Sequence, residues 1–402
     1  MHDPFTPPAD QARLLLQVPL RPVQGDRFQP TGYPDLGPSR YKVNRGDVST
    51  EVVLVESPQS MANHLESMCF DPPLSPRQPD PTAALAKCLE GMPFVRVDRP
   101  DGTVLTHSIL EAHRLNSPYI LQQSESTFFK MLQRELGTEV EGPIDLRKFA
   151  KLMFRYDPNS ILHGVFLAEK KLAGGRYRLP RLLSGFIEAT DAAPADYGGV
   201  KVNAINPKGV PGQDGSGNVI YHRTEFTGPL TAFFNFDLSM LRGYRLGEPA
   251  ERFLIALAYF KIRRFLTYGL RLRTACDLTP VGQVEECPLE ATTAERLTGA
   301  VVDCRAAGLF AEPAVTVVVW GAKAASAGAL EIELPSDFPP PSPFKGALKK
   351  VIEFKPGKRN KPTKLVLKQG LTAELLALIE KDRPAESRLL EVLKSKLASP
   401  EG

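Results

Sequence analysis

The sequence has few of the residues from which catalytic and metal centres are usually built. It holds six histidines and five cysteines among 402 residues, with no HExxH pattern, no CxxC pair and no GxSxG motif. These absences argue against a zinc protease, a paired-metal phosphohydrolase and a serine hydrolase. Because the cysteines are odd in number and widely scattered, free thiols in a reducing compartment are expected. We expect neither a metal nor a cofactor.

Long apolar runs are absent as well. No segment approaches the roughly 18 consecutive apolar residues that a membrane span needs. The opening residues, MHDPFTPPADQ, lack the basic and then apolar pattern of a secretory signal. We therefore expect a soluble, cytoplasmic protein with no membrane partner.

The balance of charge is nearly even. Fifty Lys and Arg stand against 46 Asp and Glu, a net charge of +4 that does not by itself indicate a nucleic-acid-binding protein. Residues 345–368 differ from the rest, with nine basic residues and only Glu353 acidic. That run has the composition of a flexible loop able to neutralise phosphate, although lysine-rich loops also serve solubility alone.

Two proline-rich segments interrupt the chain, and short runs with strand-forming composition recur along it. Residues 71–81 and 335–344 each hold five prolines, so neither stretch sustains a helix or a central strand. Seven short runs are rich in β-branched and aromatic residues and alternate with helical stretches, which predicts a mixed α/β or α+β fold. They are VVLV (52–55), FVRV (94–97), GVFL (164–167), TAFFNFDL (231–238), LRLRTAC (270–276), VTVVVW (315–320) and LEIEL (330–334).

The clearest helix pattern covers residues 249–268. Pro249 suits the first turn, and Gly269 is expected to supply a left-handed C-cap. Apolar residues spread around most of its circumference, so the helix is predicted to be covered on more than one side. Leu270 to Arg273 then alternates with period two, as a half-exposed strand does. A buried helix that leads into such a strand is compatible with a ferredoxin-like or RRM-like unit.

The opening segment, from Arg27 to Glu66, is polar and rich in glycine and proline around the VVLV strand. Ser57 is a good N-cap and Pro58 a good first residue for a helix, whose free N–H groups would attract an anion. Neutral hydrogen bonds to phosphate or sugar are expected from Gln59, Ser60, Asn63 and His64. The alternative interpretation is a capped helix with no ligand.

A long β-hairpin is predicted between residues 187 and 227, around the turn-rich run NPKGVPGQDGSG. Its glycines do not form a P-loop, because no Gly-Lys-Ser/Thr follows them. Positive or polar groups would lie along it at Lys201, Lys208, His222 and Arg223. The alternative is a mobile surface loop.

Arginines at strand spacing form a third set of candidates. Arg271 and Arg273 are expected to point the same way about 7 Å apart, and Arg176, Arg178 and Arg181 form a similar cluster. Guanidinium groups at such intervals bind successive phosphates without reading sequence. Charged residues on an exposed sheet face are also often only solvated or paired with carboxylates.

Aromatic residues and histidines leave further alternatives. Phe233, Phe234 and Phe236 share one strand and are expected in the core, whereas Tyr33, Tyr177 and Tyr268 are the candidates for stacking on unpaired bases. A metal-independent ribonuclease would use histidines as acid and base. His64, His163 and His222 are the candidates for that activity.

Six stretches together resemble one protein family. Besides the opening block, they are SILEAHRLNSPYI (108–120), DPNSILHGVFLAE (157–169), RYRLPRLLSGFIEA (176–189), YHRTEFTGPLTAFFNFDLSMLRGYRLG (221–247) and KIRRFLTYGLRLRTACDL (261–278). In this order they resemble the crRNA-binding backbone subunit of the type I-G (formerly I-U) CRISPR Cascade complex, an antiviral ribonucleoprotein. The resemblance covers roughly residues 20–320.

The resemblance implies an α+β fold, in which an RRM-like (ferredoxin-like) palm carries inserted helical elements and a projecting thumb β-hairpin. The palm would begin in residues 1–66, a partly helical insertion would occupy 67–160, and the palm core, with its thumb near 189–227, would occupy 161–334. Residues 335–402 lie beyond the resemblance, and their own pattern predicts a basic loop and a C-terminal tail of two short helices broken by Pro384.

The resemblance also implies a function without catalysis. Copies of the protein would stack head to tail into a helical filament along the crRNA and present it for pairing with target DNA. Further partners would be the Cascade large subunit and the subunit that caps the crRNA end. Expected RNA-binding residues are Arg27, Gln29, Ser57, Gln59, Ser60, Asn63, His64, Arg176, Arg178, Arg181, Lys201, Lys208, His222, Arg223, Arg264, Arg271 and Arg273.

Overall fold

The computed structural model describes residues 3–33, 36–76, 78–121, 127–137, 144–170, 172, 175–202, 218–320, 330–334, 338, 348, 352–355, 363–367, 379 and 387–398. The chain divides into two compact units. The first consists of Met1–Gln122 and Met131–Trp320, and the second consists of Gln123–Lys130 and Gly321–Gly402. The four-part division expected from the sequence stays a prediction.

The described residues form 19 strands and eight α-helices. The strands are β1 (Arg13–Pro22), β2 (Gly32–Tyr33), β3 (Gly37–Pro38), β4 (Arg40–Arg45), β5 (Val48–Glu56), β6 (Phe94–Asp98), β7 (Val104–His107), β8 (Val165–Leu167), β9 (Tyr177–Leu179), β10 (Leu183–Thr190), β11 (Ala193–Val202), β12 (Asn218–Thr227), β13 (Leu230–Asp237), β14 (Arg271–Arg273), β15 (Cys276–Pro280), β16 (Val315–Val319), β17 (Leu330–Leu334), β18 (Ile352–Lys355) and β19 (Thr363–Leu367). All seven runs predicted to be extended contain strands.

The helices are α1 (Pro58–Ser67), α2 (Thr127–Leu136), α3 (Leu146–Tyr156), α4 (Pro158–His163), α5 (Leu238–Tyr244), α6 (Glu248–Arg264), α7 (Glu290–Ala306) and α8 (Ser387–Ala398). None of the helices in the described part of the chain combines the length and the apolar character needed to span a bilayer. All five cysteines are free thiols, as expected.

The central sheet of the first unit has seven strands in the order β14-β15-β1-β13-β10-β5-β4, and every neighbouring pair is antiparallel. Along the chain, β1, α1, β10, β13, α6 and β15 form a β-α-β-β-α-β unit. The spatial order β15-β1-β13-β10 places its fourth strand beside the first and its third between the first and second, which is the ferredoxin-like arrangement. The α+β, RRM-like fold is therefore confirmed.

Two faces of this sheet follow from the period of two along its strands. In β13, Phe234 and Phe236 are buried, whereas Phe233 is only half-buried and stacks on Phe186 of β10, with ring centroids 5.1 Å apart. The core prediction was therefore correct for Phe234 and Phe236. It was wrong for Phe233, because alternation puts that ring on the opposite face.

Helix α6 is buried around most of its circumference, as predicted, and its α-helical part ends at Arg264, before the predicted end at Tyr268. The last turn, Phe265–Gly269, is a π-helix. Gly269 does not have the left-handed conformation expected of a C-cap. A Cβ at this position would lie 2.6 Å from Cδ2 of the buried Phe265, so glycine is needed for close packing instead.

The predicted hairpin is formed by β11 and β12, which pair over ten residues each, from Ala193 opposite Thr227 to Val202 opposite Asn218. It leaves the central sheet after β10 and returns to it at β13. The turn-rich run at 203–217 lies outside the described residues. This hairpin occupies the place in the fold that was expected for a thumb.

Within the second unit, β17, β19 and β18 form an antiparallel sheet. Its core includes Ile332, Leu365, Leu389 and Leu393, so that α8 contributes to it. The basic run at 345–368 was predicted to be a loop, yet it contains β18 and β19. In β18 the apolar Ile352 and Phe354 alternate with the charged Glu353 and Lys355, whereas β19 has the apolar run Leu365–Leu367. Helix α8 confirms the second tail helix, whereas the first falls outside the described residues apart from Ile379.

Candidate nucleic-acid interface

The start of α1 has the local structure that the sequence predicted. The hydroxyl of Ser57 caps the helix by accepting a hydrogen bond from the backbone N–H of Ser60 at 3.3 Å, and Pro58 occupies the first turn. Met61 and Leu65 are buried beneath the helix. Because they lie on one side, the more exposed polar side chains of the first two turns line cavities on the other.

A first cavity, of about 510 Å³, lies beside this helix. Four of the predicted RNA-binding residues line it, and two elements far apart in the chain bring them together. The polar side chains come from α1, and the arginines come from β9 and the residues that follow it. Its lining includes Gln59, Asn63, Arg114, Phe166, Arg178 and Arg181.

A second cavity, of about 500 Å³, lies on the other side of Asn63, which lines both. Five of the predicted residues meet here, from the opening loop, from α1 and from β14. They are Gln29, Ser60, Asn63, His64 and Arg273. Eight of the predicted residues therefore line these two cavities around the exposed side of α1.

The first cavity has an excess of positive charge. Arg114 makes a bidentate pair with Glu66, at 2.6 and 2.9 Å, and both side chains are buried. Burial, and secondarily the charge of Arg114, lowers the pKa of the Arg181 guanidinium. Among the described residues, neither Arg181 nor the exposed Arg178 has a carboxylate partner within 4.0 Å. The cavity is thus lined by three arginines, of which only Arg114 is paired with a described carboxylate, and this favours an anionic ligand.

The second cavity uses its arginine differently. Arg273 donates to the carbonyl oxygens of Gln29, at 2.8 Å, and Val55, at 3.0 Å, and it also bonds the carboxylate of Glu56. The same carboxylate lies 3.9 Å from Nε2 of His64. Arg273 therefore fixes the opening loop against β5, so the polar groups of this cavity are held in place.

Arg27 and Arg271 line a third cavity, of about 410 Å³. Arg27 lies 3.7 Å from the carboxylate of Glu225 in β12. Arg271 is exposed and Arg273 half-buried, with a register shift between them in the pairing with β15. They consequently face separate cavities.

Arg176 and Arg264 line none of these three cavities. Arg264 is 3% exposed and pairs with Asp71 and Glu290, at 3.3 and 3.4 Å. Arg176 is exposed just before β9. Lys208 lies outside the described residues, as do the side chains of Lys201, His222 and Arg223, whose backbone lies in the hairpin.

Two of the candidate histidines line different cavities. His64 lines the second cavity and His163 the first. Burial, followed by the charge of Lys261, lowers the pKa of His163 well below its ordinary value, so this imidazole is neutral at neutral pH. In the part of the chain that the structure describes, no group of three or more His, Cys, Asp or Glu could hold a metal ion.

Among the residues of the first cavity that the sequence reasoning missed are Arg114, Asn116 and Phe166. Phe166 is the central residue of the three-residue strand β8. A strand this short has too few positions for alternation to show which side chain faces outward. Conversely, Tyr177 was expected to stack on bases, but it is buried, with its ring centroid 4.9 Å from that of Phe149. The tyrosine's neighbours, Arg176 and Arg178, are the exposed ones.

Residues 14–194 match the model of a family described as CRISPR-associated protein GSU0053. The match supports a CRISPR-associated protein. It covers 181 of the 402 residues, from β1 into the hairpin, and includes all lining residues of the first cavity. No curated protein matches the chain.

Among solved structures, the chain is similar to one described as "CRISPR RNA-guided surveillance complex, pre-nicking". The identity is 12% and the TM-score 0.29, over 74% of this chain and 88% of that chain. A TM-score this low does not establish a shared fold.

Proposed function

We propose that this protein is a non-catalytic, crRNA-binding backbone subunit of a CRISPR Cascade complex of type I-G. The observation that carries the proposal is the pair of cavities around α1, in which residues from the opening loop, α1, β9 and β14 converge on an RRM-like fold. The family match over residues 14–194 supports the CRISPR assignment. The sequence resemblance supports the subtype and the role in the backbone.

The side chains that line the cavities suit the binding of a nucleic acid independently of its base sequence. Arg178 and Arg181 supply charge without a carboxylate partner among the described residues. Gln59, Ser60 and Asn63 supply neutral hydrogen bonds beside them. Contacts of this kind fix the position of a nucleic acid while accepting any sequence, as a guide-binding subunit requires.

In this proposal the partners are crRNA, target DNA through the guide, the Cascade large subunit and the subunit at the crRNA end. Further copies of the chain would add head to tail. Such a contact joins two different surfaces, so it continues until the RNA or a terminal subunit ends it. The hairpin of β11 and β12 would act as the thumb between successive segments of the guide.

The test is co-expression with a CRISPR repeat and spacer transcript, followed by purification and RNA binding at several salt concentrations. The wild-type protein is expected to carry RNA and to bind it less tightly as salt rises. In the double variant Arg178→Ala with Arg181→Ala, the plot of log K against log salt should become shallower by about 1.4, since each phosphate contact on a single strand contributes about −0.7 to its slope.

Arg99→Ala is the matched control, because Arg99 is exposed in the turn between β6 and β7 and lines neither cavity. It should leave the slope unchanged. A wild-type protein that purifies without RNA and binds none at low salt would contradict the proposal. Cleavage of the transcript that survives chelation and is abolished by His64→Ala would establish the ribonuclease instead.

A further inference from the structure

Strands β8 and β9 form a two-stranded ribbon with one apolar and one outward side. Val165, Leu167, Tyr177 and Leu179 are buried beneath it, at 5% exposure or less. The central residues, Phe166 and Arg178, lie directly opposite each other in the antiparallel register, and both are exposed. Side chains at opposite positions of such a pair are close neighbours.

Phe166 is not needed for the core. Its side chain is 49% exposed, and among the described residues it makes no contact with another aromatic ring. It nevertheless lines the first cavity, whose other walls are mainly polar or basic. An apolar ring in that setting offers a flat π-face beside groups that bind anions.

We propose that Phe166 and Arg178 form a subsite for one unpaired nucleotide of single-stranded RNA. The base would stack on the ring of Phe166, and the adjoining phosphate would bind Arg178 and Arg181. Gln59 and Asn63, which also line the cavity, would donate or accept hydrogen bonds at the base edge or the ribose. This inference rests on the proposed function and deepens it, because it adds a stacking contact to the phosphate contacts.

The occupant follows from the chemistry of the walls. Every base has a π-face, so an aromatic platform binds unpaired nucleotides with little preference for sequence. In a duplex the bases are stacked on one another and are not available to a side chain at the rim of a cavity. The volume of about 510 Å³ lies in the range of ordinary small-molecule sites.

The experiment is binding of a short single-stranded RNA with one 2-aminopurine, compared among the wild type, Phe166→Ala, Phe166→Trp and Tyr41→Ala. Tyr41 is the matched control, since it is 43% exposed and lines neither cavity. Phe166→Ala should weaken binding about 5- to 100-fold, as expected for the loss of one stacked base, and should remove the fluorescence quenching of the bound probe. Phe166→Trp should retain both.

The salt dependence separates this inference from the proposed function. Phe166→Ala should keep the wild-type salt slope, because the ring carries no charge, whereas Arg178→Ala should reduce it. If the wild type binds RNA with a salt-dependent affinity and Phe166→Ala binds as tightly as Tyr41→Ala, the stacking subsite is wrong and the proposed function stands. If the wild type binds no RNA, both fail. Loss of self-association in Phe166→Ala, with unchanged affinity for RNA, would make the ring a protein contact and overturn the inference.

Discussion

The ammonium of Lys261 lies 2.8 Å from Nε2 of His163, and both residues are buried. An ammonium only donates hydrogen bonds, so Nε2 accepts and the proton of the neutral ring is on Nδ1. Lys261 also donates to Oδ1 of Asn159. This lysine on α6 therefore joins the two ends of α4 to the helix that covers the central sheet.

Replacing this lysine tests the arrangement. Lys261→Met should raise the pKa of His163 towards its ordinary value, because a positive charge disappears, although burial keeps the value low. The free energy of unfolding should fall by about 1–3 kcal/mol, since Nε2 of His163 loses its donor and Oδ1 of Asn159 keeps only the thiol of Cys69. Titration of the imidazole by NMR and denaturant unfolding measure the two effects. The exposed Lys87→Met is the control, and an unchanged His163 titration would contradict the account.

The ion pair of Glu66 with Arg114 should be worth more than an ion pair at the surface. Their side chains are 4% and 10% exposed. Glu66→Gln leaves a buried guanidinium without its counter-charge, and the expected loss in the free energy of unfolding is about 3–5 kcal/mol. Urea denaturation checks this value.

A matched control exists in the pair of Arg305 with Glu312, whose side chains are 51% and 65% exposed. Glu312→Gln should cost about 1 kcal/mol or less, since water screens such pairs. Equal effects of the two substitutions would show that the Glu66 pair is as solvated as the surface pair. The first cavity would then not be organised by it.

The sequence was sufficient for much of this architecture, because its signals are local. The capping of α1 by Ser57 and Pro58, the extended runs and the buried α6 each follow from residues within one element. Long-range pairing is different. From the sequence, Arg264 was predicted to be an available cation at the end of a helix. Its partner Asp71 is 193 positions away in the chain, and only the fold brings the two residues together.

The candidate site divides in the same way. Gln59, Asn63, Arg178 and Arg181 were predicted on separate segments, and the fold places all four in one cavity. Phe166 was not predicted, because a strand of three residues has too few positions to reveal its outward side. Its exposure is set by β9, which pairs with it, and by the apolar residues beneath the ribbon.

Acid should destabilise the protein partly through His107. This buried imidazole lies between the rings of Phe70 and Phe94, with centroids 5.5 and 5.3 Å away. Burial, with a smaller contribution from Arg96, lowers its pKa from 6.5 to about 4. Below pH 6.5 the unfolded chain therefore binds a proton that the folded protein does not bind until about pH 4. The free energy of unfolding consequently decreases as the pH is lowered from 6.5 to 4.

His107→Phe should remove this pH dependence. The wild type should lose about 3 kcal/mol more than the variant between pH 7 and pH 4, because a difference of one bound proton between the unfolded and folded states is worth about 1.36 kcal/mol for each pH unit. Asp157, whose pKa burial raises to about 6, acts in the opposite direction but equally in both proteins. Phe94→Leu is the control, since it disturbs packing without removing a titrating group. Parallel stability curves for the wild type and His107→Phe would contradict the assignment.

Two glycines in helical turns should respond oppositely to alanine. At Gly269 the added Cβ would meet Cδ2 of Phe265 at 2.6 Å, and that ring is buried against the sheet, so we expect a loss of about 1–3 kcal/mol. At Gly299, within α7, nothing lies within 4 Å of the added Cβ. Gly299→Ala should therefore stabilise by about 0.5–1 kcal/mol through helix propensity. Thermal unfolding of the two variants separates packing from propensity, and a Gly269→Ala protein as stable as Gly299→Ala would show that the π-helical turn opens without cost.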